Sequence, residues 1–430
     1  MTGGAVTSSK YDERGFEIEK TDAMGAVTRW QRDARGRAIE VTDPNGRQMR
    51  IRRDDHGLPV QVIDAEGGIT AATRDRYGNI ETLRDACGGV THLAYDAGGL
   101  LVSATDPTGA RTGYTYDAQG NLTQIVQPNG GAWTYTYDAI GRRASTTDPS
   151  GAETRYVRSN RGDLLAVYDA AAGVTRYEYD GERHLAQIVT PMGFTTRLLW
   201  GGYHLLCGRR DANGRLLRLA YSREGELIAV HNERDEIHHL SYDSAGRLVG
   251  ERTVDGREFR YRNDAAGRKV RIESNSGAIT ELVYDPTGRV VERKLPDDTS
   301  ETFEYNGRGE LIRATGPTGR CELIRDAMGR VVAETQLVDG NVHEIKISYD
   351  PAGRRVARAT SLGHTDRVER DVMGSRVRTF LGAHEVVGHD VDVMMRESRR
   401  SFSRGGAIES VFDPMGRLTG RKAVKATAVT

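Results

Sequence analysis

An acidic residue returns every 21 residues along most of this chain, and it is followed three positions later by glycine. From Asp138 the step runs back through Asp117, Asp96, Asp75, Asp54 and Asp33 to Asp12. It runs forward through Ser159, Asp180, Gly201, Ser222, Asp243, Asp264 and Asp285 to Asn306. After one irregularity, with steps of 20 and 24 around Asp326, it resumes at Asp350, Asp371, Asp392 and Asp413. Of the 20 positions, 16 are Asp, and 17 carry Gly three residues later. A strict period of this kind makes the chain an array of one small unit rather than a set of unrelated domains.

Asp at the first place of a four-residue turn and Gly at the fourth is the type I turn preference, with the glycine supplying positive φ before the next strand. The same grammar recurs midway through many units, as in Asp43-Pro-Asn-Gly46, Asp106-Pro-Thr-Gly109, Asp148-Pro-Ser-Gly151 and Asp211-Ala-Asn-Gly214. Each unit therefore holds two turns and two strands of about six or seven residues. Asp255-Gly256 and Asp339-Gly340 read as tight two-residue hairpin turns in place of the usual mid-unit turn. Between turns the residues alternate. In Trp133-Thr-Tyr-Thr-Tyr137 the aromatics share one face and the threonines the other. Tyrosine precedes ten of the twenty repeat positions, which suggests a ladder of cross-strand aromatic pairs.

The fold class is all-β: tandem 21-residue antiparallel β-hairpin repeats forming a curved or spiralling β-sheet. Residues 1–10 are a lead-in, 11–420 the array of about twenty units, and 421–430 a plain tail. Forty strands at ~4.8 Å spacing make a ribbon on the order of 190 Å long, which must curl because strands twist. One coil of a parallel β-helix also fits a 21-residue period; the pairing sense of neighbouring strands decides between the two.

The string Tyr-Asp-x-x-Gly-Arg-Leu/Val, as in Tyr242-Asp-Ser-Ala-Gly-Arg-Leu248 and Tyr284-Asp-Pro-Thr-Gly-Arg-Val290, resembles the YD repeat of bacterial Rhs proteins, over roughly residues 11 to 420. Related repeats occur in teneurins and in the shells of insecticidal toxin complexes. The resemblance implies a hollow β-shell segment that encapsulates and delivers a toxin, with no catalysis of its own. The implied partners are toxin cargo or the remainder of an Rhs shell, and secretion spike proteins through an N-terminal region this sequence lacks. A spike-tip module, the core segment with its aspartyl self-cleavage site and a C-terminal toxin are not recognisable either. The chain thus reads as a middle section, and Asp413-Pro-Met-Gly416 is given no cleavage role. A ring closed from this ribbon would span only about 60 Å, so the chain alone is not expected to seal in a cargo. Its bare ends would favour association. Two other readings stay open: an extracellular surface- or glycan-binding module, and a truncated remnant.

The charge balance of 61 basic against 61 acidic residues argues against nucleic acid or an anionic membrane as partner. Arginine supplies 54 of the basic residues and is expected to pair with Asp and Glu across strands. No apolar run reaches the roughly 18 residues of a membrane span, and no Sec signal opens the chain. The expected location is cytoplasmic as synthesised, or exported through type VI or another secretion route within a larger Rhs system.

Residues that could carry chemistry have plainer explanations. Asp138 and Asp148 read as turn residues, not a catalytic pair. His384 and His389 are spaced i,i+5 across Gly388, so they miss the i,i+4 geometry of a helical zinc motif. His231, His238 and His239 include two neighbours that point to opposite faces of a strand. Arg161-Gly-Asp163 coincides with a repeat turn. Cys87, Cys207 and Cys321 lie far apart and form no ligand pair. No catalytic, cofactor-binding or metal-binding residue is assigned, and no cofactor is expected.

Overall fold

A computed structural model describes residues 6–425. The first five residues of the lead-in and the last five of the tail lie outside the described residues. Forty β-strands and one short 3₁₀ turn, Gly202–His204, make up the described secondary structure, and the strands belong to one sheet. No helix among the described residues is long and apolar enough to cross a membrane.

The chain divides into two units, one of residues up to Ile51 with Thr175–Arg320, the other of Arg52–Val174 with residues from Cys321 onward. Within each, consecutive strands pair antiparallel, as Ala132–Tyr137 does with Arg143–Thr147 and that strand with Glu153–Arg158. This pairing rules out the parallel β-helix. Strands of five and six residues alternate through most of the array, slightly shorter than the six or seven expected, because each turn holds five residues out of the ladder.

The turn is the same at both ends of a unit. At Asp138 the Gly141 amide donates to the Asp138 carbonyl at 3.0 Å, and the Asp138 amide donates to the Arg142 carbonyl at 2.9 Å. Gly141 sits at φ 78°, the left-handed conformation that a Cβ disfavours. At this turn, but not at the Asp148 turn, the register then slips by one residue, so that Tyr137 faces Arg143 and Thr136 faces Ser145, a bulge that adds twist.

One of the two expected tight hairpins is present. Asp339 and Gly340 take φ 49° and 78° between the directly paired Val338 and Asn341. Asp255-Gly256 does not form such a turn. Thr253 takes the aspartate's place, with Gly256 N–H to Thr253 O and Thr253 N–H to Arg257 O both at 2.9 Å, so the ordinary five-residue connection is kept. The irregular steps in the period also come from tight turns. Only Pro317 and Thr318 separate the strands Leu311–Gly316 and Gly319–Arg325, while Val331–Val338 and Asn341–Tyr349 are longer arms of one hairpin.

A one-layer sheet buries little. The buried apolar residues are small or β-branched: Ala166, Ala229, Ala333, Val368 and Ala407. Cohesion must therefore come from the ladder, from the turns, and from turns meeting turns. In the first unit the Asn45 amide group donates to Asp285 Oδ2 at 3.1 Å and Arg47 Nη2 donates to the Tyr305 carbonyl at 3.0 Å. In the second, Arg354 Nη2 donates to Thr108 Oγ1 at 3.3 Å and Asn129 Nδ2 to the Val393 carbonyl at 3.2 Å. Each contact joins a mid-unit turn to a unit-start turn or its flanking strand 240 to 264 residues later. Within each unit, mid-unit turns thus meet unit-start turns that come much later in the chain.

Candidate functional site

The recurring Tyr-Asp-x-x-Gly-Arg string is a closed circuit of hydrogen bonds. Asp264 Oδ1 accepts from the amides of Ala266 and Arg268 at 2.9 and 3.0 Å, and Oδ2 accepts from Arg268 Nε at 2.7 Å. The Arg268 guanidinium lies 4.6 Å from the centre of the Tyr284 ring of the next unit. The Tyr284 hydroxyl donates to the Lys269 carbonyl, 15 residues back, at 2.7 Å. The same links recur through Asp285, Arg289 and Tyr305, and through Asp326, Arg330 and Tyr349.

This corrects one expectation and adds to another. The tyrosines are not a ladder of paired rings; among the described residues the ring–ring contacts are those of His184 with Trp200 and with His204. At many of these positions a side-chain donor reaches a carbonyl of the neighbouring strand, though Val391 and Phe412 have none. Trp200 Nε1, Asn263 Nδ2 and Arg32 Nε reach the matching carbonyls at 2.9, 3.0 and 2.7 Å. The arginines do pair across strands, as Arg29 does with Glu19, but their most regular partner is the aspartate four residues earlier in the same turn.

Bonding sets the charge state of these acids. The Arg37 side chain, acting against partial burial, holds Asp33 down to about 2. At Asp138 the Arg142 amide, acting against partial burial and together with the Arg142 side chain, lowers the carboxyl from its ordinary value. Asp148 accepts from the amides of Ser150 and Ala152 at 2.8 and 3.0 Å, at the other end of the strand Arg143–Thr147 from Asp138. The two acids lie at opposite edges of the ribbon. Asp413 is likewise held by the amides of Met415 and Arg417, both at 2.9 Å.

The other sequence candidates are dispersed. His384 ends a hairpin opposite Leu381, whereas His389 bonds Glu397 Oε1 through Nδ1 at 2.5 Å. His238 and His239 face Val230 and Ala229 on successive pairs, and His238 Nε2 approaches Glu251 at 3.3 Å. Gly162 of the Arg161-Gly162-Asp163 tripeptide is a turn glycine at φ 97°. The cysteines are free thiols; burial, aided by Glu334, pushes the Cys321 thiol up.

The sequence reading assigned no metal ligand, but the structure gathers one set of ligand types. Glu182, His184 and His204 bring a carboxylate oxygen and two ring nitrogens within 4.8 Å of one another. All three lie in the first unit, on the turns that start at Asp180 and at Gly201. Asp180 Oδ2 is 3.0 Å from His184 Nδ1, and His184 Nε2 is 2.6 Å from His204 Nδ1. Trp200 stacks on His184 at 4.8 Å between ring centres. Burial pushes the Asp180 carboxyl up, but hydrogen bonds from the His184 ring and from the amides of His184 and Glu182 outweigh it and hold the acid below its ordinary value. A signal was present in the sequence: four positions around this cluster depart from the repeat. Gly201 stands at an aspartate position, Arg183 and His204 at glycine positions, and Trp200 at a tyrosine position.

The RHS Repeat family model matches residues 11–48, 95–132, 116–153 and 284–320. No curated protein sequence matches the chain. Among solved structures, the chain is similar to one from the Photorhabdus luminescens Tc holotoxin pore, with 16% identity and a TM-score of 0.74 over 97% of this chain and 27% of that one. It is also similar to a chain in the crystal structure of TcdB2-TccC3, with 14% identity and a TM-score of 0.55 over 99% of this chain and 30% of that one. A third likeness, to TcdB2-TccC3 without its hypervariable C-terminal region, has a TM-score of 0.54 at 16% identity, over 99% of this chain and 29% of that one. At these identities the likeness is one of fold, and this chain spans less than a third of each matched chain.

Proposed function

We propose that this chain, which carries RHS repeats, is a structural, non-catalytic segment of a β-shell that encloses a toxin polypeptide for delivery. The observation that carries the reading is the meeting of turns far apart in the chain within each unit. A flat ribbon has no reason to bond Asn45 to Asp285, whereas a wall built from successive passes of one ribbon needs such seams. The likeness in fold to chains of Tc toxin assemblies supports it. So does the side-chain economy. The repeat carboxylates at Asp264, Asp285 and Asp326 are occupied by their own turns and arginines, which suits a wall and leaves these acids committed to structure.

On this reading residues 11–420 are the wall, its partners are the rest of a shell and its cargo, and the assembled particle leaves the cell by a secretion route, type VI among them. The test is protease protection. The chain, within the reading frame that surrounds it in the genome, is produced together with the neighbouring polypeptide as cargo. A cargo that resists protease only when the repeats are present supports the proposal. A cargo digested equally fast with and without them overturns it.

A further inference from the structure

The Glu182, His184 and His204 cluster sits among four departures from the repeat; one of them, His204, belongs to it and another, Trp200, stacks on it. In the turns that start at Asp243 and Asp264, the residue four after the aspartate is an arginine that bonds that aspartate. In the turn that starts at Asp180 it is His184. Asp180 Oδ2 lies 3.0 Å from His184 Nδ1, so the other ring nitrogen, Nε2, faces away from Asp180 and toward His204. A carboxylate bonded to one nitrogen of an imidazole in this way is the usual outer partner of a metal-binding histidine. Trp200, stacked on the ring and bonded through Nε1 to the Leu185 carbonyl at 2.9 Å, fixes the orientation of His184 further.

His204 is presented at a cost. It stands in the turn position that 17 of 20 units give to glycine, and it adopts φ 58° beside Tyr203 at φ 60°. Two consecutive non-glycine residues in the left-handed region are strained, and no repeat turn elsewhere among the described residues has such a pair. The strained turn places His204 Nδ1 opposite His184 Nε2 and 3.7 Å from Glu182 Oε2. Glu182 and His204 each expose 72% of their side chains, so both can adjust to an ion.

We infer that Glu182, His184 and His204 form a binding site for a divalent transition-metal ion, with zinc the best fit. Two imidazoles and a carboxylate suit zinc, whereas magnesium and calcium prefer all-oxygen shells. His184 Nε2, His204 Nδ1 and one Glu182 oxygen are the ligands, and Asp180 orients His184 without touching the ion. Without metal, His204 Nδ1 and His184 Nε2 share one hydrogen bond. With metal, His204 turns its Nδ1 lone pair inward by carrying its proton on Nε2. The two nitrogens then separate to about 3.3 Å, as bonds of ~2.0–2.1 Å to one tetrahedral centre require. The fourth position faces solvent. The ion would staple the turns of two successive repeats at one edge of the ribbon.

The test is zinc titration of the untagged full chain by calorimetry, with cobalt absorption as a readout of tetrahedral coordination. The expected result is one zinc per chain and a tetrahedral cobalt spectrum. His204→Gly removes a ligand yet supplies the residue that the turn conformation favours, so its fold is retained and its metal-free melting temperature is equal or higher. It is expected to weaken zinc binding at least tenfold and to lose the zinc-induced rise in melting temperature. His238→Ala, outside the cluster, is expected to bind as the parent does. Equal zinc binding by the parent and His204→Gly, or an octahedral cobalt spectrum in the parent, overturns the inference. So does magnesium competing as well as zinc. If His204→Gly changes the far-UV spectrum, Glu182→Gln decides: unchanged affinity there also overturns the site.

Discussion

At the scale of single residues, each repeat aspartate does two jobs with its two oxygens. Asp264 exposes 7% of its side chain; one oxygen closes the turn and the other anchors Arg268. Asp264→Ala is expected to lose about 1.5–3 kcal/mol, the range for hydrogen bonds to a charged group, and Asp264→Asn about half of that, since the amide oxygen still closes the turn. Hydrogen-exchange protection of the Ala266 and Arg268 amides checks the order; equal loss in both variants would count against this division of labour. Tyr284→Phe keeps the ring beside Arg268 and removes only the bond to the Lys269 carbonyl. A loss of roughly 0.5–1.5 kcal/mol is expected from the denaturant midpoint. No loss would mean that the ring, rather than the hydroxyl, is what the position requires.

At the scale of the element, the ordinary five-residue connection depends on one residue of positive φ, usually the glycine three after the aspartate. Met395 occupies such a place at φ 62°, and Gly416 holds the equivalent place one unit later at φ 76°. A non-glycine residue in that conformation costs about 1–2 kcal/mol. Met395→Gly is therefore expected to raise the melting temperature, and Gly416→Ala to lower it by a comparable amount. Opposite shifts support the turn geometry, and shifts of the same sign refute it. The turns also explain why composition was informative. With 51 glycines in 430 residues, the chain has the supply that about forty such connections require.

At the scale of the whole molecule, stability rests on many small, similar, charge-dependent contacts in place of one large core. Carboxyls such as Asp33, at about 2, and Asp264 and Asp350, also lowered, titrate below their unfolded values. Their contribution is complete above the unfolded value of about 4 and is lost as pH falls through the lower folded values. Far-UV circular dichroism is expected to be constant above about pH 5 and to fall cooperatively between about 4 and 2. A transition centred above pH 5 would show that groups other than these aspartates control it.

Period and alternation sufficed to read the fold class, the antiparallel hairpins and the turn positions from the chain, because each depends on contacts within about ten residues. Asp138-x-x-Gly141 closes its turn with its own atoms, wherever the rest of the chain lies. Asp255-Gly256 was misread as a tight hairpin because a dipeptide preference cannot tell whether Thr253 will take the aspartate's place. The role of the tyrosines was missed for a related reason. The carbonyl that Tyr284 reaches belongs to Lys269, on the neighbouring strand, and residue type alone does not reveal that Trp200, Asn263 and Arg32 make the matching bond, each to a carbonyl 15 residues back. The seams, such as Arg47 with the Tyr305 carbonyl, were beyond sequence reasoning altogether, since they depend on how far the sheet turns per strand. That quantity accumulates from small twists over 258 residues. The histidine cluster lies between these limits. The sequence alone determined where the repeat breaks, at Arg183, Trp200, Gly201 and His204. Only the tertiary structure decided that two adjacent turns face each other there, because strand pairing converts a 20-residue separation in the chain into a 2.6 Å contact in space.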